Sequence, residues 1–218
     1  MADTGSTWGK RGLYVVAFLV AFFVMKSLTQ YWFDRRSEAK TVAAVDREMN
    51  KLREDALKRH PNEPAVEAMK RESAKQSADK LASLAGDKGK QAQTAADQFL
   101  GFLLVNTRMR VTYCKELGVD ISPFKEAFES AHKSEIDRTA AILAQHGRDI
   151  AKDSEKLYVL LEGQFRKIIS DDMQNIAKET NRDLPGACKA VAEHAKELIG
   201  EMQLEKTHPA MHKVLMGL

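Results

Sequence analysis

Cysteine is scarce in this chain of 218 residues; it has two, Cys114 and Cys188. Two thiols exclude a disulfide-dense mini-fold and a zinc centre built from four cysteines. A charge excess of one sign is also lacking. Lys and Arg number 34 and Asp and Glu 31, a net +3 with the signs interspersed. That balance excludes an acidic tail and a dominant basic face, so no nucleic-acid partner is expected. Catalytic signatures are missing as well. There is no phosphate-cradling glycine loop, G-x-S-x-G, H-E-x-x-H or C-x-x-C-H. No enzyme activity and no cofactor are therefore expected. Aromatic residues are absent from 34–98. Of the fifteen present, eight lie in 8–33 and seven in 99–165. That distribution divides the chain into three regions.

The first region is apolar. Leu13 to Met25 are thirteen consecutive apolar residues, flanked by Trp8 on one side and Tyr31 and Trp32 on the other. A spanning helix needs about 20 residues. The 24 steps from Trp8 to Trp32 span roughly 36 Å as helix, and rings of that kind suit the two membrane interfaces. Lys26 interrupts the run, but its stem can snorkel outward. The run has no polar face, which argues against a buried core helix. The one nearby small-x-small site, Ser27-Leu28-Thr29, is a poor cleavage site. The expected layout is a short tail over 1–11 and an uncleaved transmembrane signal anchor over 12–33.

Orientation is set by opposing signals. Lys26, Arg35, Arg36 and Lys40 would hold the long domain in the cytoplasm by the positive-inside count. The short basic tail before the run and the cysteine arrangement favour the opposite. The bulk of the chain is expected on the periplasmic, extracytoplasmic side of an inner membrane, with a cytoplasmic bulk as the alternative.

Residues 34–90 read as a charged helical stalk or hairpin. Val42, Val45, Met49 and Leu52 are spaced 3, 4, 3 and share one helix seam. The seam suits packing on a neighbouring helix or self-association into a homodimer. His60-Pro61-Asn62-Glu63-Pro64 breaks the helix. Its alanine-rich successor ends at Gly86-Asp87-Lys88-Gly89.

The third region, 91–206, reads as an antiparallel four-helix bundle, with helices near 91–117, 123–146, 150–180 and 186–206. No segment alternates as a half-buried strand does, so the class is all-α. All five prolines fall at breaks between periodic segments. Ser122 is expected to cap the second helix, with Pro123 in its first turn. Short connections make neighbours antiparallel. Cys114 lies one turn before the end of the first helix and Cys188 one turn after the start of the fourth. That topology brings the two to one level, as a disulfide requires. The bond would close a loop of 74 residues, contributing near 4 kcal/mol in the chain-entropy picture.

Two further features carry candidate chemistry. Asn106 and Arg110 interrupt the apolar side of the first bundle helix. Level counting places them near His132, Asp172 and His194, a layer suited to a small anion or to a register-fixing ion pair. His208 and His212 are spaced i, i+4, but Pro209 sets His208 at a helix start, and no metal site is expected there. The segment 207–218 is short and apolar. Met211, Leu215 and Leu218 would pack on the bundle or dock a partner. The sequence thus supports a non-enzymatic, bitopic membrane protein. Its helical domain would serve as an interaction or accessory module in an envelope assembly, with a membrane or envelope protein as partner. The alternative is a helical-bundle ligand sensor working with a membrane partner.

Overall fold

The computed structural model describes residues 35–63 and 65–218. The apolar run Leu13 to Met25 lies outside the described residues. Among the described residues all regular structure is helical, and no helix is long and apolar enough to cross a membrane. The helices are α1 (Arg35–Arg59), α2 (Ala65–Ala82), α3 (Lys88–Leu104), a π turn (Val105–Met109), α4 (Arg110–Glu116), α5 (Ser122–Ala131), α6 (Lys133–Gln145), α7 (Ile150–Thr180), α8 (Leu184–Glu193), α9 (Ala195–Glu201), α10 (Leu204–Thr207) and α11 (Pro209–Met216).

Local chemistry fixes where these helices begin and end. Asp87, Asp149 and Asp183 each accept a bond from a backbone N–H three residues on, capping α3, α7 and α8. Gly118 and Gly147 take positive φ, 77° and 68°, where the chain leaves α4 and α6. The start of α5 differs from expectation. Ser122 is the first helical residue, not the cap. Asp120, two residues before it, accepts from both the Ser122 backbone N–H and its hydroxyl, at 2.9 and 2.6 Å.

The four expected bundle segments are present, but each is interrupted. The first contains the π turn. The second and fourth bend at His132 (φ −108°, ψ 20°) and His194 (φ −111°, ψ 27°), and the third at Leu161 (φ −115°, ψ 16°). Side chains support the π turn: Asn106 Nδ2 donates to the Phe102 carbonyl at 2.9 Å, and Thr107 Oγ1 to that of Leu103 at 2.7 Å. A π turn shifts the helix phase, so residues beyond it present a different face. Hence Cys114 beyond the turn is fully buried, as is Met109 at its end, while Tyr113 and Leu117 are only half-buried. The fourth segment also ends earlier than expected, at Glu201. It packs on α7 through α8 and on α5 through α9, and the disulfide ties it to α4.

Of the two expected forms of residues 34–90, the hairpin is the one observed. α1 and α2 form an antiparallel hairpin against the bundle, and Val45, Leu52 and Leu81 belong to the common core. Val45 is 0% exposed and Leu52 1%, with Val42 and Met49 packed beside them. The seam offered for self-association is therefore covered by the chain itself. Alanines, Ala68 among them, allow close approach along α2. Two polar bonds then join α2 to α3: Ser77 Oγ to Gln98 Oε1 at 2.8 Å, and Gln91 Nε2 to the Leu81 carbonyl at 2.9 Å.

The C-terminal segment is also absorbed. α11 lies against α2, α3 and α6, with Met211 1% and Leu215 0% exposed. Arg138 Nε donates to the Leu215 carbonyl at 3.0 Å. Of the three residues offered for partner docking, Leu218 alone is exposed. Burial of the α1 seam makes a direct prediction. Leu52→Ala should lower unfolding free energy by about 2–5 kcal/mol in a urea titration. An unchanged midpoint would mean that α1 does not pack on the bundle.

Candidate functional site

The expected polar layer divides into separate parts. Arg110 and Asp172 form the centre. Their side chains are 4% and 0% exposed, with Arg110 Nη1 2.6 Å from Asp172 Oδ2. Arg110 Nη2 also donates to Asn106 Oδ1 at 3.4 Å, and the guanidinium lies 5.9 Å from the Phe124 ring centroid. The π turn puts Asn106 and Arg110 on the inner side, and α7 supplies Asp172 and Met173 opposite them. The arrangement matches the register-fixing ion pair rather than an anion pocket, because the carboxylate already holds the cationic face an anion would use. Two buried atoms of this pair, Arg110 Nε and Asp172 Oδ1, have no hydrogen-bond partner among the described residues.

The two histidines are elsewhere. His132 is fully buried against three phenylalanines, stacked on Phe128 at 4.3 Å between centroids and edge-on to Phe102 at 5.5 Å. Its ring nitrogens face the carbonyls of Phe128 (3.1 Å) and Met202 (3.3 Å). Burial holds its pKa below the ordinary histidine value, partly offset by those carbonyls and Glu135. His132 therefore fastens α5 to the end of α9. His194 is about one-third exposed, with Nδ1 3.9 Å from Glu197. Neither histidine is paired with Arg110, so the five-residue ligand site is not assembled as expected.

Sequence reasoning missed a second buried charge cluster. Arg148, in the turn between α6 and α7, reaches Asp97 Oδ1 on α3 and Asp153 Oδ2 on α7, each at 2.7 Å. Burial raises the pKa of the Asp97 carboxyl, with Arg148 pulling the other way. Burial also opposes the Arg148 charge, but the two carboxylates more than offset it. The signal in the sequence was Asp97 itself, an acid beside Phe99, Leu100 and Phe102 in the most apolar part of α3. An acid there needs a buried partner. The partner's position in a distant turn had no local mark.

Near the C-terminus, His212 Nε2 lies 3.7 Å from Glu135 Oε1, and His208 is 4% exposed. Burial, reinforced by Lys70, lowers the His208 pKa to about 3. Among the described residues no cluster of three or more acidic, histidine or cysteine side chains is placed to hold a metal ion. A small recess of about 30 Å³ lies between α1 and α7, lined by Met49, Leu52, Met69 and Ile168 with Arg53 and Asp171 at its edge. That is space for one water rather than a substrate.

The chain matches no protein family model, and neither curated proteins nor solved structures show a significant similarity to it.

Two outcomes follow from the buried charges. Asp172→Leu or Arg110→Met alone should cost about 3–5 kcal/mol, because each leaves a buried group unpaired. The double replacement by apolar residues should recover most of that loss. Additive losses in the denaturation cycle would show that the two side chains are not coupled. His208 sets a pH dependence. Its folded pKa, about 3, lies below the ordinary 6.5, so the native state binds fewer protons than the unfolded chain between these values. Its stabilising contribution is complete above about pH 6.5 and is lost as pH falls toward 3. His208→Gln should flatten the fall in melting temperature between those limits. An unaltered slope would assign the acid sensitivity to other groups.

Proposed function

We propose that the chain is a single-pass membrane protein, anchored through the apolar run Leu13 to Met25. Its helical domain lies on the periplasmic, extracytoplasmic side and serves as a non-enzymatic interaction or accessory module in an envelope assembly. The observation that carries this reading is the disulfide. Cys114 and Cys188 are bonded, their Cα atoms 5.6 Å apart, and both are fully buried. Disulfides persist in oxidising compartments and are rare in the cytosol. An apolar run followed by a disulfide-bonded domain therefore favours export over the cytoplasmic alternative.

The bundle interior supports interaction over ligand sensing. Its inward-facing guanidinium groups, Arg110 and Arg148, are both neutralised by aspartates of this chain. Recognition then falls to the outer surface. That surface carries exposed charges on every long helix, and Leu57, Val159 and Leu218 are its exposed large apolar side chains among the described residues. The second copy once expected at the α1 seam has no free face there, so the partner is expected to be a different protein.

Thiol labelling of intact cells tests location. Without reductant, neither native cysteine should react with maleimide after denaturation. Reaction of both would sink the disulfide and the periplasmic placement. Native mass in mild detergent tests assembly. The full chain should run as part of a complex heavier than its own 24.4 kDa plus detergent. A monomer under gentle extraction and after in-cell crosslinking would defeat the accessory reading.

A further inference from the structure

The helices give the domain a direction relative to its anchor. We infer that the domain stands on the bilayer by one end: the turns at 83–90 and 145–152 face anionic lipid headgroups, and the disulfide end points away. This rests on the anchored reading above. The direction comes from α1, which runs parallel to α7. Gln164 Nε2 donates to Asp46 Oδ1 at 3.4 Å, and farther along both helices Met49, Leu52 and Arg53 line one recess with Lys167, Ile168 and Asp171. Each step up α1 is matched by a step up α7, at an offset of 164 − 46 = 118 residues.

The remaining helices agree. The α1–α2 hairpin is antiparallel, as Arg59 to Glu72 shows across its turn. α2 is antiparallel to α3, with Ser77 against Gln98 and Leu81 against Gln91. α3 and its continuation run with α7, from Asp97 beside Arg148 and Asp153 to Arg108 beside Glu155 and Tyr158. By the 118-residue offset, Arg35 begins level with about residue 153 of α7. The turns 83–90 and 145–152 lie at that end. The far end of α7, at Thr180, is 27 residues on, about 40 Å of helix. Nine residues lie between Met25 and Arg35, and the ten steps reach at most about 36 Å fully extended. The tether is too short to bring the far end to the membrane where the chain enters it.

Charge agrees with this placement. With Arg148 neutralised by Asp97 and Asp153, the near turns carry Lys88, Lys90 and Lys152 against Asp87 and Asp149, 3 − 2 = +1. The far turns at 60–63, 115–122 and 181–185 carry Lys115 and Arg182 against Glu63, Glu116, Asp120 and Asp183, 2 − 4 = −2. Lys88, Lys90 and Lys152 are exposed. Basic side chains near an anionic bilayer are attracted to it within a Debye length. The domain is thus polarised, with its basic end toward lipid and its acidic end toward the aqueous compartment.

The test uses the full chain in nanodiscs containing a nitroxide-headgroup lipid. No free cysteine is present among the described residues, so one added thiol takes a fluorophore selectively. His146→Cys reports on the near end and Asp120→Cys on the far end, both exposed positions. Quenching should be several-fold stronger at 146 than at 120 in phosphatidylglycerol discs. It should weaken at 146 in phosphatidylcholine discs and in the Lys88→Glu, Lys90→Glu, Lys152→Glu variant. Equal or reversed quenching at the two sites overturns the orientation. Equal quenching at 146 in both lipids overturns headgroup recognition. Failure of the full chain to float with vesicles sinks the anchored reading itself, a separate outcome.

Discussion

One covalent constraint holds this architecture together at its far end. Cys114 and Cys188 join α4 to α8, elements that otherwise barely touch, since α8 rests on α7 and α5. The loop it closes spans 74 residues and contains α5, α6 and α7. Closing a loop of that size restricts the unfolded chain and is worth about 4 kcal/mol in the chain-entropy picture. The position matters as much as the energy. The π turn lies one to two turns below Cys114, and a wide turn there alone would let α4 vary its phase. The bond fixes the phase, and with it the inward direction of Arg110.

The buried charges act within that frame. Arg110–Asp172 joins α4 to α7, and Arg148 joins α3, the α6–α7 turn and α7. Buried ion pairs contribute little net stability, because desolvation takes back most of the attraction. Their effect here is on register. An apolar stripe on α7 fits a sliding neighbour nearly as well one turn away. A carboxylate displaced one turn from its guanidinium does not. The two clusters sit at different heights along α7, Asp153 and Asp172 being 19 residues apart, so together they fix both its position and its tilt across the kink at Leu161.

Much of this was legible in the sequence, and the limits have physical causes. The helical class, the breaks at His60, Gly118, Gly147 and Asp183, and the cysteine pairing follow from periodicity, turn chemistry and topology. Those are short-range signals, or consequences of them. The interruptions at Val105–Met109, His132 and His194 were not legible. A π turn or a single bent residue leaves the local apolar pattern almost unchanged. It shifts everything downstream, which is why Tyr113 and Leu117, apolar residues of the same helix, are only half-buried at the edge of the core. The five-residue polar layer failed for the same reason. Level counting assumed straight helices, so it held for Arg110 and Asp172 but misplaced His132 and His194. Residues 34–90, read as a stalk or hairpin, form a packed hairpin: the small side chains of α2 let helices approach closely, and buried Ser77 and Gln98 complete the contact.

In the proposed anchored arrangement, the packed hairpin would change how the membrane segment and the bundle are connected. A free stalk would behave as a hinge between membrane and domain. Here α1 lies along α7 from Asp46 to Arg53, with Val45, Leu52 and Ala56 sealed into the interior. Force or displacement at the start of α1 therefore passes into α7 through an apolar seam. From α7 it reaches α3 through Arg148 and α4 through Arg110. The long helix is the element common to every one of these connections. It also bends at Leu161, between the seam and the Arg148 cluster. A load at the start of α1 is thus shared by the whole helical domain. That rigidity is what the proposed accessory role requires of a domain that would hold a partner at a fixed height above a bilayer.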